Sequence, residues 1–294
     1  MKKKTPSQTF TIQLSDHDVD RLVTFYADFK QPLPTVYHRF FAILETFTVA
    51  VYNAKKGQSK VVFQGKQAHQ DLPLWQTHVA QISHAGSDEV GTGDFFGPIV
   101  VVASYVKAVY TQWLHTIGVK DSKLLDDAIM RDMAPQIKDK IQSVSVVIHP
   151  EKYTRLLEQG LNMNQIKAML HHHAIVQLKE TIAYNDVTII DQFATDASMT
   201  RYFSTLAPIK HLNWEEKAES KYLAVAVSSI LARVRFLEAM DSLNKTYGVH
   251  FPLGANPHVE TFGLAFAKQH GIETLKKVAK TNFSTFKRIV LALS

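Results

Sequence analysis

The 294-residue chain contains no cysteine, which excludes disulfides and thiolate metal sites. Any metal must then rest on carboxylates, carbonyls, histidines or water. No stretch approaches the roughly 18 consecutive apolar residues of a membrane span. The basic start MKKKTPSQTF has no apolar segment behind it and does not read as a signal peptide. A cytoplasmic protein is the expectation. Charge of one sign is not in large excess: the net charge is +6. Most of it lies in residues 1–80, where 10 Lys and Arg stand against 6 Asp and Glu. That surplus permits a polyanionic partner without demanding one. Hydrophobic residues make up 46% of the chain, enough for a sizeable core in one large domain or two.

No internal repeat or low-complexity tract is visible. QTFTIQL (8–14) alternates apolar and polar residues as a strand does. SDHDVDRLVTFYADFK (15–30) follows with a Ser N-cap and with Val19, Leu22, Val23 and Tyr26 at helical spacing. Residues 37–65 read as two or three strands around the Lys55-Lys56-Gly57 turn. Residues 66–80 are polar, contain Pro73 and read as a linker, so a small α+β domain would span 1–75 with linker to about 80. From 81 to 294 the pattern changes. Strand candidates at 81–84, 99–106, 144–149, 187–190 and 208–212 alternate with helical patterns at 126–142, 163–183 and 216–243, and the tail 256–294 reads as two or three helices with a break at Gly271. That alternation predicts an α/β layer fold with part of the sheet parallel.

Three features carry chemistry. In HAGSDEVGTGDFFGPIVV (84–101) two adjacent acids, Asp88 and Glu89, precede Gly91 and Gly93. Neighbouring side chains on a strand point to opposite faces, so a shared site requires a bend, which glycine makes cheap; an ordinary charged turn is the alternative. In Val187–Asp191 four strand formers end in an aspartate, at the strand end where α/β sheets place functional groups, or where an Asp caps the next element. In 217–240 Glu219 stands near the start of a helix rich in small residues, where it also suits the helix dipole. Together they supply oxygen ligands of the kind that select Mg²⁺ or Mn²⁺, and a basic surplus that suits a phosphate backbone. The His171-His172-His173 run falls inside a helical pattern, where successive residues are about 100° apart, so it reads as a helix face and not a metal site.

The segments AGSDEVGTGDFFGPIVVVA (85–103), VKDSKLL (119–125), NMNQIKAMLH (162–171), IIDQF (189–193) and KAESKYLAVAVSSILAR (217–233) together resemble the bacterial ribonuclease HIII family, across essentially all of residues 83–294. The resemblance implies an α/β fold with a ribonuclease H-like core, a mixed sheet flanked by helices, and a small N-terminal α+β domain like the TATA-binding protein that helps bind substrate. It implies an endonuclease that cuts the RNA strand of RNA–DNA hybrids with Mg²⁺ or Mn²⁺, leaving 5′-phosphate and 3′-hydroxyl ends. Nothing in the sequence suggests an obligate oligomer, so a monomer is the expectation. By position, Asp88, Glu89 and Asp191 would be the metal-binding carboxylates. Glu219, in Ala218-Glu219-Ser220-Lys221-Tyr222, would replace the fourth aspartate of type HII enzymes, with Asp196 as a rival. Gly91, Thr92 and Gly93 would match a backbone turn that contacts ribose 2′-hydroxyls. Lys120, Ser122 and Lys123 would lie near substrate phosphates or in a solvated loop. Type HII enzymes carry a tyrosine in a stretch that here reads Val249-His250-Phe251-Pro252. Its absence implies a preference for runs of ribonucleotides over a single embedded one.

Overall fold

The computed structural model describes residues 8–53, 58–68, 71, 75, 83–119 and 125–294. The Lys55-Lys56-Gly57 turn and Lys120, Ser122 and Lys123 lie outside the described residues. The chain divides into two compact units, Met1–Ala80 and Gln81–Ser294.

In the small unit, β1 (Gln8–Ser15), β2 (His38–Ile43), β3 (Phe47–Tyr52) and β4 (Gln58–Gly65) form an antiparallel sheet in the order β1-β4-β3-β2. Alternation sends Phe40, Ala42, Val49, Val51, Val61 and Phe63 to one face, where they are buried. Helix α1 (Asp16–Phe25) covers that face with Val19 and Leu22, three residues apart on one side of the helix. Tyr26 follows at the next turn and is fully buried. Its hydroxyl donates to Asp71 Oδ2 at 2.7 Å and accepts from Trp75 Nε1 at 3.0 Å. Ala68 and Trp75 pack into the same core. Ala68, Asp71 and Trp75, in the segment that reads as linker, are therefore held by this unit through contacts that polar composition conceals.

In the large unit, β5 (His84–Val90), β6 (Ile99–Val106), β7 (Gln142–Ile148), β8 (Thr188–Asp191) and β9 (Leu212–Glu215) form a sheet in the order β7-β6-β5-β8-β9. The first three strands are antiparallel to one another; β8 and β9 run parallel to β5. The helices are α2 (Thr111–Thr116), α3 (Asp127–Lys140), α4 (Pro150–Glu158), α5 (Met163–Thr181), α6 (Asp196–Phe203), α7 (Leu223–Tyr247), α8 (Pro257–His270), α9 (Ile272–Val278) and α10 (Ser284–Leu293). Strand β6 is apolar on both faces because both are covered. Val100, Val102 and Val106 join the core with α3, α7 and the C-terminal helices, and Ile99, Val101 and Ala103 join the core with α5. No described helix is long and apolar enough to cross a membrane.

Several elements differ from the sequence expectation. Of the short strand expected at 81–84, residues 81 and 82 lie outside the described residues; His84 opens β5, which continues through both acids to Val90. The last strand is Leu212–Glu215, later than expected, and α7 begins at Leu223 after a separate 3₁₀ turn at Ala218–Ser220. Helices α2, α4 and α6 were not expected; at 6, 9 and 8 residues they are too short to display a clear period. Helix α7 lies close on β5 because Gly86 has no side chain: a Cβ there would come within 2.4 Å of the Val225 nitrogen. Ser228 Oγ donates to the Gly86 carbonyl at 2.9 Å across the same contact.

Candidate active site

The register of β5 and β8 pairs Ala85 with Thr188, Gly86 with Ile189 and Ser87 with Ile190. One step further places Asp88 beside Asp191, on strands about 4.8 Å apart. Both acids stand at the carboxyl ends of parallel strands. There a cavity of about 410 Å³ opens, lined by Asp88, Glu89, Asp191 and Glu219 together with Ser229 and Arg233. Glu219 comes from the 3₁₀ turn ahead of α7, immediately after Lys217, whose φ of 55° turns the chain back toward β8. The Ala218 N–H donates to Asp191 Oδ1 at 2.8 Å, and the Glu219 and Asp191 side chains hydrogen-bond each other.

The two adjacent acids do point to opposite faces of β5. Asp88 meets the Ser229 hydroxyl of α7. Glu89 meets the Lys167 ammonium and His171 Nε2 of α5, the latter at 2.9 Å. No bend separates them; they share the cavity because it sits at the end of the sheet, where both faces are within reach. The bend comes two residues after Glu89, at Gly91, with φ of 96°. A Cβ at Gly91 would lie 2.2 Å from the Pro98 carbonyl oxygen. Gly93 differs: its φ is not positive, it is exposed, and a Cβ there would meet no described atom within 4 Å. The protein's own fold does not require glycine at 93.

These environments set the charges. Burial, reinforced by the charges of Glu89 and Asp191, pushes Asp88 up to about 8. Burial, with the Glu219 carboxylate adding to it, pushes Asp191 up to about 7, against the pull of the Ala218 N–H. For Glu89 burial acts in the same direction, but the hydrogen bond and charge of His171 and the charge of Lys167 prevail and hold it below the usual carboxylate range. One acid is therefore kept ionised by Lys167 and His171, while burial and neighbouring carboxylates raise the proton affinity of two others.

Lys167 and His171 were missed by sequence reasoning. They stand four residues apart on α5 among the buried residues Ile166, Leu170 and Ala174, and a Lys and a His on such a stripe were the available signal. Phe193, just beyond β8, backs both: the Lys167 ammonium lies 4.2 Å from its ring centre and the His171 ring stacks on it at 5.4 Å. His171 Nδ1 also lies 2.7 Å from Ser87 Oγ. The Ser-His-Glu sequence resembles a hydrolase triad, but Ser87 is fully buried and its hydroxyl donates to the Val102 carbonyl at 2.9 Å, so it presents no nucleophile. His172 reaches the Ala207 carbonyl instead. Asp196 does not line the cavity; its carboxylate accepts from Gln192 and from Trp214 Nε1, each at 3.1 Å. At the cavity edge Arg233 makes a two-pronged ion pair with Asp127, at 2.8 and 2.9 Å.

Among the described residues no three His, Asp or Glu side chains stand in a finished metal-binding arrangement. The donor set nevertheless fits a hard divalent ion. Four carboxylates line one cavity, and the burial and mutual repulsion that raise the proton affinity of Asp88 and Asp191 are what such an ion would offset.

Comparisons with known proteins point to one family. The sequence profile of the family Ribonuclease HII matches residues 85–286. Ribonuclease HIII of Lactococcus lactis subsp. cremoris (strain SK11) is 34% identical, covering 93% of this chain and 95% of its own. Ribonuclease HIII of Bacillus mycoides (strain KBAB4) is 33% identical over 95% of this chain and 96% of its own. Among solved structures, Bst-RNase HIII in complex with Mn²⁺ superposes with a TM-score of 0.73 at 32% identity, covering 97% of this chain and 99% of that one. Aquifex aeolicus RNase H3, at 20% identity and a TM-score of 0.57, shares the fold.

The raised pKa values yield a prediction about stability. Asp88 and Asp191 lie above their ordinary value of 3.8, so each favours the folded state when protonated. That contribution is complete in acid and is lost as pH rises through about 7 and then about 8. A divalent cation that displaces the protons reverses the loss. Thermal unfolding with and without Mn²⁺ should show a larger rise in Tm at about pH 8.5 than at about pH 6. Equal rises at both would disconnect these two acids from metal binding.

Proposed function

As the chain belongs to the ribonuclease HII family and is therefore a ribonuclease H, we propose that Asp88, Glu89, Asp191 and Glu219 form the centre at which it hydrolyses the RNA strand of RNA–DNA hybrids, leaving 5′-phosphate and 3′-hydroxyl ends. The observation that carries this reading is the register of β5 and β8, which sets Asp88 beside Asp191 at the mouth of the cavity that Glu89 and Glu219 also line.

In this reading Asp88, Glu89 and Asp191 hold divalent metal, Mg²⁺ or Mn²⁺, with Glu219 completing the set. When bound, two such ions activate water and neutralise charge on the leaving oxygen. The chain's own part is placement. Strands β5 and β8 fix the Asp88 and Asp191 main chain, the Ala218 N–H orients Asp191, and Lys167 and His171 keep Glu89 ionised and turned to the cavity rim. Arg233, already paired with Asp127, keeps positive charge at the edge where a phosphate chain would pass.

The Gly91-Thr92-Gly93 turn adjoins this centre, with Gly91 and Thr92 on the cavity wall. Gly93 is glycine for no internal reason, so the open space at its Cα suits the close approach of a ribose and its 2′-hydroxyl. The small unit serves, in the same reading, to bind the hybrid. Its sheet has one face buried against α1, and on the other Lys60 lies 5.4 Å from the Tyr52 ring centre. Phe251 is buried among Phe96, Phe262 and Phe266 and offers no hydroxyl, which supports a preference for runs of ribonucleotides.

Three outcomes are expected. Asp88→Asn should lower kcat on a labelled RNA–DNA hybrid by about three orders of magnitude or more while leaving hybrid affinity nearly intact; wild-type-like turnover would remove Asp88 from the reaction. Gly93→Ala should leave the unfolding temperature unchanged but raise KM for the hybrid about tenfold, by filling the space a sugar needs; a silent variant would show that nothing approaches there. A duplex carrying one embedded ribonucleotide should be cut far more slowly than one carrying a run of four or so, and equal rates would refute the stated preference.

A further inference from the structure

Lys280 is a cation with no exposed surface in the interior of the large unit. Its ammonium donates to the main-chain carbonyls of Asp94 and Gly97, each at 2.7 Å, and reaches that of Phe96 at 3.4 Å. Burial lowers its pKa to about 7, with the Asp94 charge pulling the other way. An apolar side chain of the same length would occupy this place without the desolvation cost of an ammonium. What it would not supply is donors for carbonyls on a curling segment that no strand ladder satisfies.

The segment so held begins where the Gly91–Gly93 turn ends. Asp94 closes that turn, its N–H reaching the Gly91 carbonyl at 3.4 Å, a long bond that gives the turn little shape of its own. Everything firm lies on the Asp94 side. Asp94 Oδ1 accepts from the Gly254 N–H at 2.7 Å, and its carbonyl is taken by Lys280. The flanking main chain is then tied to the same region: Phe95 N–H to the Gly254 carbonyl at 2.8 Å, Lys280 N–H to the Phe95 carbonyl at 2.9 Å, and Gly97 N–H to the Val278 carbonyl at 2.9 Å. Gly93, by contrast, has no described atom near the position of a Cβ. The turn is thus open on its outer side and held from within, where the Lys280 side chain joins the Asp94 and Gly97 carbonyls and main-chain bonds tie the residues between them.

We infer that Lys280 is a positioning residue for the Gly91–Asp94 turn, and that its hold on the Asp94 and Gly97 carbonyls determines how sharply the protein separates ribose from deoxyribose. The second half rests on the proposed reading of that turn as the ribose contact; the first half rests on the hydrogen bonds alone.

The test uses the full-length chain with Lys280→Met, which keeps the length and removes the donors. Amide hydrogen exchange across 91–97 should speed up about tenfold or more relative to wild type, while exchange in β5 and α7 stays as it was. In an Asp88→Asn background, the affinity ratio for a labelled RNA–DNA hybrid over a DNA duplex of the same sequence should fall about tenfold, both measured well below the unfolding temperature. Unchanged exchange at 91–97 overturns the positioning role, and faster exchange with an unchanged affinity ratio overturns the link to sugar choice. If the Asp88→Asn protein shows no preference for the hybrid at all, the ribonuclease reading of the turn fails, while the exchange comparison still decides whether Lys280 holds it. Should Lys280→Met not accumulate as folded protein, Lys280→Gln, which keeps one amide donor, takes its place in both measurements with the same expected directions.

Discussion

Asp88, buried, and Asp191, half-buried, occupy adjacent positions on parallel strands, with Glu89 and Glu219 close enough to raise their affinity for protons further. Like charges in such a place repel strongly because little solvent screens them. The group can persist only if the chain that carries it cannot relax outward. The surrounding fold meets that condition. Strand β5 is paired on both edges, and α7 presses on it at Gly86 so closely that no side chain fits between them. Ser228 and Ser229, neighbours on that helix, then divide their roles: one ties the helix to the Gly86 main chain, the other meets Asp88.

The four acids are handled in two ways. Glu89 has dedicated cations on α5, and Phe193 backs both of them. Asp88 meets a hydroxyl, and Asp191 meets an amide and the Glu219 carboxyl, so a bound cation would take over from protons there. The opposite facing of Asp88 and Glu89 makes the division possible. Each side of the sheet contributes its own helix, and the two solutions do not compete for the same space.

Much of this was legible in the residues. Val100 to Val106 announced a strand covered on both faces, and Val187–Asp191 announced an acid at a strand end. The resemblance carried the choice of Glu219 over Asp196, and the structure brings Glu219, not Asp196, to the cavity wall. Other features were not legible because they depend on contacts between distant segments. Lys167 and His171 matter only once α5 crosses β5, and spacing along one helix does not reveal what it will face. The polar stretch around Asp71 and Trp75 read as linker because its partner, Tyr26, lies 45 and 49 residues away. Lys280 stands in a tail whose pattern predicts helices, and nothing local in it indicates that it meets the main chain beyond the glycine turn.

The outer side of that turn has one further consequence. At Gly93 an approaching molecule meets peptide groups and little else. Peptide groups are the same whatever residue bears them, and their donors and acceptors reach a backbone-borne hydroxyl without touching the edges of bases. A surface of this kind distinguishes one sugar from another but has no means of distinguishing an adenine from a guanine. On the proposed reading of the turn, indifference to nucleotide sequence would follow from bare main chain.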